Sequence, residues 1–161
     1  YQHDNLVAVG FSGTFLTSSD GTKWTKRKSG TKAHLGKGTY ANDTFVAVGN
    51  GGSVLTSSDG TTWTKRKSRT KTSLYGVAYG NNTFVAVGYK GIIITSSDGT
   101  MWTKRKSGTK KHLRGITYGN GKFVMVSNAG TILTSPESTT WSKMKSGTSR
   151  HLRRVFFELV E

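Results

Sequence analysis

The sequence predicts an all-β protein, a β-propeller of four 39-residue, four-stranded blades, and three observations carry that expectation. The first is a repeat: Trp24, Trp63, Trp102 and Trp141 each fall 39 positions after the last. The same spacing relates Asp20, Asp59, Asp98 and Glu137, and also Leu35, Leu74, Leu113 and Leu152. Aligned without a gap, residues 40–78 and 79–117 agree at 25 of 39 positions. The second is local: every unit divides into four short β-rich runs separated by Gly, Asn, Asp and Ser. The third is composition. With 33% hydrophobic residues, 21 Gly and one Pro, the 161-residue chain suits tight turns and a modest core better than a helical bundle. No window shows the 3.6-residue period of an amphipathic helix. A four-stranded unit of about 40 residues is a propeller blade, which cannot bury both faces alone and must stack on its neighbours.

The third copy shows the elements in order. Leu74-Tyr75-Gly76-Val77-Ala78-Tyr79 alternates and meets a Gly80-Asn81-Asn82 turn. Thr83 to Gly88 is a compact β-rich run, and its Val-Ala-Val-Gly recurs at Val7–Gly10 and Val46–Gly49. Ile92 to Ser96 is β-branched and closes on Ser97-Asp98-Gly99, after which Trp102 opens a run that alternates with polar residues. In the second copy the expected strands are 45–49, 54–57, 62–67 and 74–79.

The blade repeats run approximately 1–39, 40–78, 79–117 and 118–156, all within a single propeller domain spanning 1–161. Tyr1 aligns with Tyr40, so the chain enters at the end of a first strand and runs into the second, near 6–10. The first blade thus lacks its inner strand, and residues 152–157 match what is missing. This C-terminal strand is expected to complete the N-terminal blade and remove an open sheet edge. Closure within one molecule gives a monomeric four-bladed ring, the preferred expectation. Exchange between two molecules gives an eight-bladed dimer, and an arc of a longer propeller is a third option.

The run Ser57-Ser58-Asp59-Gly60-Thr61-Thr62-Trp63 resembles the Asp-box of bacterial neuraminidase-repeat propellers, a resemblance that extends over all four units. It implies that Asp20, Asp59 and Asp98 build turns between third and fourth strands. It also implies that Trp24, Trp63, Trp102 and Trp141 pack between blades. The sialidase motif has one more residue between Asp and Gly, so the turn here is tighter. In the fourth copy, Ser135-Pro136-Glu137-Ser138, both Asp and Gly are lost. Each loop carries a single carboxylate, too few for the oxygen cage that calcium needs.

An enzyme is not expected. Four of the eight carboxylates belong to the turns, leaving Asp4, Asp43, Glu158 and Glu161. Paired carboxylates facing a glycosidic bond cannot be assembled from these. Cysteine is absent, which fits oxidising and reducing compartments alike. His34, His112 and His151 occupy equivalent positions on separate blades, too far apart to share a metal. Neither a metal nor a cofactor is expected, and no apolar run is long enough for a membrane helix.

The charge speaks to partners. There are 24 Lys and Arg against 8 Asp and Glu, a formal net charge of +16. The surplus repeats on the outermost strand as Lys26-Arg27-Lys28, Lys65-Arg66-Lys67 and Lys104-Arg105-Lys106, with Lys143 and Lys145 in the last copy. Lysines on a sheet edge block strand addition, which explains them without a ligand. The alternative is a positive girdle for nucleic acid or an anionic glycan. Lys71, Lys110, Lys111, Arg114, Arg150, Arg153 and Arg154 add a second basic zone at one rim. No aromatic is interleaved with Lys-Arg-Lys, so base stacking is not expected. Two function classes follow: a module for multivalent recognition of a glycan or protein ligand, and a structural subunit or polyanion binder. Drift at Leu35–Thr39, Ser135–Glu137 and Met144 argues against a symmetric designed repeat.

Overall fold

A computed structural model describes residues 5–159; Tyr1, Asp4 and Glu161 lie outside them. The described chain forms four antiparallel sheets in sequence order, one per blade. Blade 1 has three strands, β1 (Leu6–Val9), β2 (Phe15–Ser18) and β3 (Thr25–Arg27). Blade 2 has β4 (Leu35–Ala41), β5 (Thr44–Gly49), β6 (Val54–Ser57) and β7 (Thr64–Arg66). Blade 3 has β8 (Leu74–Gly80), β9 (Thr83–Gly88), β10 (Ile93–Ser96) and β11 (Thr103–Arg105). Blade 4 has β12 (Leu113–Gly119), β13 (Lys122–Ser127), β14 (Ile132–Ser135) and β15 (Ser142–Met144). Among the described residues the helical content is four three-residue 3-10 turns.

The turns explain the register. Strands β4 and β5 are joined by Asn42 and Asp43, both with positive φ, and β8 and β9 by Asn81 and Asn82. Two consecutive left-handed residues form the I′ turn whose twist matches an antiparallel hairpin, and Asn tolerates that region best among residues with a side chain. Each four-stranded sheet takes its inner strand from the end of the preceding 39-residue unit, so these sheets straddle the sequence divisions.

In blades 2 and 3 the second strand is buried on both faces because a blade lies on either side of it. In β5, Val46 and Val48 join a core with Val77, Phe84, Ala86 and Trp102 of blade 3. Ala47, pointing the opposite way, packs with Phe15 of blade 1. Blades 3 and 4 share the next core, Val85, Val87 and Ile93 against Leu113, Phe123 and Met125. Period-2 alternation thus feeds two inter-blade cores from one strand. Inner strands meet through glycine: a Cβ on Gly80 would lie 2.0 Å from the Tyr118 ring of blade 4.

Two expectations are corrected. Residues 152–157 do not pair with β1, which is bonded to β2 alone among the described residues. Instead the Leu152 N–H donates to Ser127 O (3.1 Å), repeating the Leu35-to-Gly10 bond (3.0 Å) that ties blade 2 to blade 1. Phe157 covers Gly119 as Tyr118 covers Gly80. The segment therefore stacks on blade 4 through the contacts by which each inner strand meets the preceding blade, and among the described residues hydrogen bonds close no ring. The second correction concerns the tryptophans. Trp102 is 1% exposed, Trp63 and Trp141 are half-buried, and Trp24 is 44% exposed. Trp63, Trp102 and Trp141 pack toward the preceding blade, as Trp63 does on Phe15 with ring centroids 4.1 Å apart. No blade precedes the first among the described residues.

Candidate functional site

The strand order sorts the charges onto two rims. The connections β2–β3, β6–β7, β10–β11 and β14–β15 lie at one end of the sheets and hold Asp20, Asp59, Asp98 and Glu137. The opposite end holds the 3-10 turns, the exits of the outermost strands and the loops to the next blade.

On the acidic rim each carboxylate is engaged by its own turn. Asp59 Oδ1 accepts bonds from the Thr61 N–H (2.8 Å), the Thr62 N–H (2.9 Å) and Ser57 Oγ (3.0 Å). Gly60 N–H donates to Ser57 Oγ (2.8 Å), and Trp63 Nε1 donates to Gly60 O (2.9 Å). Asp20 and Asp98 repeat this geometry. Backbone N–H donors favour the ionised form, so Asp20 and Asp59 titrate well below the usual carboxylate range. Asp98 falls to about 2, chiefly through its bonds from Thr100. A carboxylate held this way is a poor general acid or base at neutral pH. In blade 4, Glu137 accepts from the Thr140 N–H (3.1 Å), Ser138 replaces glycine at φ 65°, and the buried Trp141 Nε1 has no partner.

On the basic rim the Lys-Arg-Lys strands are not uniform. Arg27, Arg66 and Arg105 turn inward, and their Nε atoms donate to Thr17, Thr56 and Thr95 Oγ1 at 2.9, 2.8 and 3.0 Å. Lys26, Lys28, Lys65, Lys67, Lys104 and Lys106 are exposed. Beside each strand lies an open cleft, of about 690 Å³ on blade 1, 790 Å³ on blade 2 and 720 Å³ on blade 3. No carboxylate lines any of the three, and Lys104 lines the clefts of both blade 2 and blade 3. In blade 4, Lys143 and Lys145 flank Met144, which cannot repeat the bond from arginine to threonine.

The histidines serve this rim as turn acceptors. His34 Nδ1 takes the Ser12 N–H (2.9 Å), His112 the Lys90 N–H (3.1 Å) and His151 the Ala129 N–H (2.9 Å). Among the described residues no cluster of three or more metal-ligating side chains occurs, and no helix is long and apolar enough to cross a membrane. One aromatic does stand beside the girdle. Tyr89 stacks on His112 with centroids 4.3 Å apart and lines the blade 3 cleft with Lys104, Arg105 and Lys106. Folding places it there although it is distant from them in sequence.

A further cavity, of about 170 Å³, lies where the inner strands converge. Lys37, Tyr75, Arg114, Arg153 and Arg154 line it with Val77 and Ile116. The sequence reading placed Arg114, Arg153 and Arg154 at a rim and missed Lys37 and Tyr75. The signal that could have found them is their incomplete repetition: the position of Arg114 is Gly36, Tyr75 and Arg153 in the other copies.

Residues 12–113, more than half of the chain, match the family described as the DUF6242 beta propeller domain. No curated protein matches. The solved structure of YCF48 from Cyanidioschyzon merolae is 19% identical with a TM-score of 0.72, covering 97% of this chain and 57% of that one. A structure of YCF48 bound to D1 peptide is 20% identical with a TM-score of 0.63, covering 91% and 51%. The chain spans little more than half the length of either, and at these identities the likeness shows the fold.

Proposed function

The chain belongs to the DUF6242 β-propeller domain family, and we propose that it is a non-enzymatic, protein-binding scaffold that presents its basic rim to acidic segments of a partner. The observation that carries this reading is the charge sorting: three clefts at the repeat spacing, each lined by several cations and by no carboxylate. A structural neighbour was solved with a peptide bound, which supports a protein ligand over a glycan. The tying of Asp20, Asp59 and Asp98 into their own turns supports a role without catalysis.

A second reading, a polyanion binder, is favoured by the sharing of Lys104 between neighbouring clefts, which gives a long anion a continuous path. Salt-resolved binding separates the readings. The scaffold reading expects poly-glutamate to be held, weakened by Lys65, Arg66 and Lys67→Ser, with heparin no tighter at equal charge. Heparin retained at salt that releases poly-glutamate would favour the polyanion. Retention in high salt that a free sugar reverses would favour a glycan. The four-bladed monomeric ring and the eight-bladed dimer are distinguished by native mass measurement.

A further inference from the structure

The geometry points to a second, single-copy site at the axial cavity, which takes one acidic side chain of a bound polypeptide together with an apolar neighbour. This rests on the protein-binding reading and adds a point of specificity that the repeated clefts, being alike, cannot supply.

The repeat itself identifies the site. Side chains that build the blades recur every 39 residues, because each blade must meet its neighbours in the same way. The positions at this cavity recur only in part, so no two blades bring the same set of side chains to it. One runs Gly36, Tyr75, Arg114, Arg153 through the copies, and the next runs Lys37, Gly76, Gly115, Arg154. The variation falls at a constant backbone feature: the register shifts between Leu35 and Lys37, between Leu74 and Gly76, and between Leu113 and Gly115. Such bulges re-aim the extra residue, here Gly36, Tyr75 and Arg114. The bulges thus display Tyr75 and Arg114 at one cavity, to which β4 contributes Lys37.

The chemistry follows from what is displayed. Lys37, Arg114, Arg153 and Arg154 supply four cations and no carboxylate joins them in the lining. Arg114 is positioned before any ligand arrives: its guanidinium lies 4.8 Å from the Tyr75 ring centroid, and its Nε donates to Asn128 Oδ1 (3.3 Å). Its remaining N–H donors are suited to a planar oxyanion, which a carboxylate matches in two parallel bonds. Val77, Ile116 and Val155 add an apolar wall. At about 170 Å³ the space is below the roughly 300–1,000 Å³ that encloses a small-molecule ligand. It admits a side chain or a small free anion, and the apolar wall favours the side chain.

The test uses the whole chain labelled with nitrogen-15, following the amides of Gly76 and Gly115, which line the cavity. The probes are the capped peptide Gly-Glu-Phe-Gly, its Gln counterpart, and inorganic phosphate. The Glu peptide is expected to shift both amides and to bind about tenfold more tightly than the Gln peptide, the scale of one charge-assisted pair. Arg114→Gln should lose about that factor, and Lys37→Gln, an exposed change, should lose less. Lys65→Ser with Lys67→Ser should leave these shifts unchanged while lowering poly-glutamate affinity. Equal response to the Glu and Gln peptides, no response at Gly76 and Gly115, or full affinity in both Arg114→Gln and Lys37→Gln would overturn the axial site. Phosphate as effective as the peptide would overturn the assignment to a side chain. Poly-glutamate binding that survives either result, and still depends on Lys65 and Lys67, leaves the scaffold reading standing.

Discussion

The four tryptophans share a sequence position but not an environment, and the difference sets what each contributes. Trp102 is fully enclosed between blades 2 and 3, with its Nε1 bonded to Gly99 O at 2.8 Å. Trp102→Ala should cost about 3–5 kcal/mol, as for other buried aromatics. Among the described residues no blade lies against Trp24, which is exposed, so Trp24→Ala should cost less than about 1 kcal/mol in the same urea titration. Equal losses would mean that something covers Trp24 in solution. Asp98 allows a second residue-scale prediction. Its folded pKa lies below its ordinary value, so the unfolded chain binds a proton first as pH falls. The stabilisation is therefore complete above about pH 4 and disappears as pH drops through about 2. Asp98→Asn should be weaker than wild type by about 1 kcal/mol at pH 7, after allowance for its exposure, and indistinguishable near pH 2. A gap that persists at pH 2 would sink the argument. At this scale the periodic carboxylates were legible in the sequence, because an Asx turn needs only neighbouring residues. Indole burial was not, because it depends on which blade lies alongside.

Strands and turns were the most legible level, for the same reason. Asn-Asp, Asn-Asn and Asn-Gly each specify the tight hairpin locally, and Phe-Val-Ala-Val-Gly alternates whatever covers it. The bulges in β4, β8 and β12 were not legible, since Gly36, Tyr75 and Arg114 have no residue type in common. In β8 the bulge lies beside a close approach of strands, where a Cβ on Gly76 would sit 3.3 Å from Ile116. The fourth Ser-Ser-Asp-Gly-type turn offers a test of element design. Ser138 holds the backbone at φ 65° where the other copies place Gly21, Gly60 and Gly99 at φ 76°, 76° and 80°. A side chain in that region costs roughly 1–2 kcal/mol per residue. Ser138→Gly should stabilise the protein by about 1 kcal/mol, less the extra freedom glycine gives the unfolded chain. The same change frees the turn to bring a carbonyl to Trp141 Nε1, as Gly99 does for Trp102. Tryptophan fluorescence and urea unfolding report the two effects, and a loss of stability would mean that Ser138 Oγ has a role of its own.

For the whole molecule, the number of blades was legible from the period, whereas the route of the chain ends was not. Completing a sheet and stacking on a neighbouring blade both use the same inner-strand sequence, so the match of 152–157 to β4, β8 and β12 could not choose between them. The structure takes stacking, through Phe157 on Gly119 and Leu152 on Ser127. Two glycines test it. Gly80 and Gly119 are equivalent positions, and a Cβ on either would sit about 2 Å from an aromatic ring of the next element, Tyr118 or Phe157. Gly80→Ala should force apart the buried interface of blades 3 and 4, costing about 3 kcal/mol, the scale of overpacking a core. Gly119→Ala should only release the outer C-terminal segment, costing about 1 kcal/mol and raising amide exchange at Val155 and Phe157. If residues 152–157 also complete blade 1 in solution, the contact of Phe157 with Gly119 persists and Gly119→Ala still costs stability, so the edge of β1 is the discriminating readout. In that case the amides of Val7 and Val9 will be protected by a partner strand, and native mass measurement will show whether that strand comes from the same molecule or from a second copy.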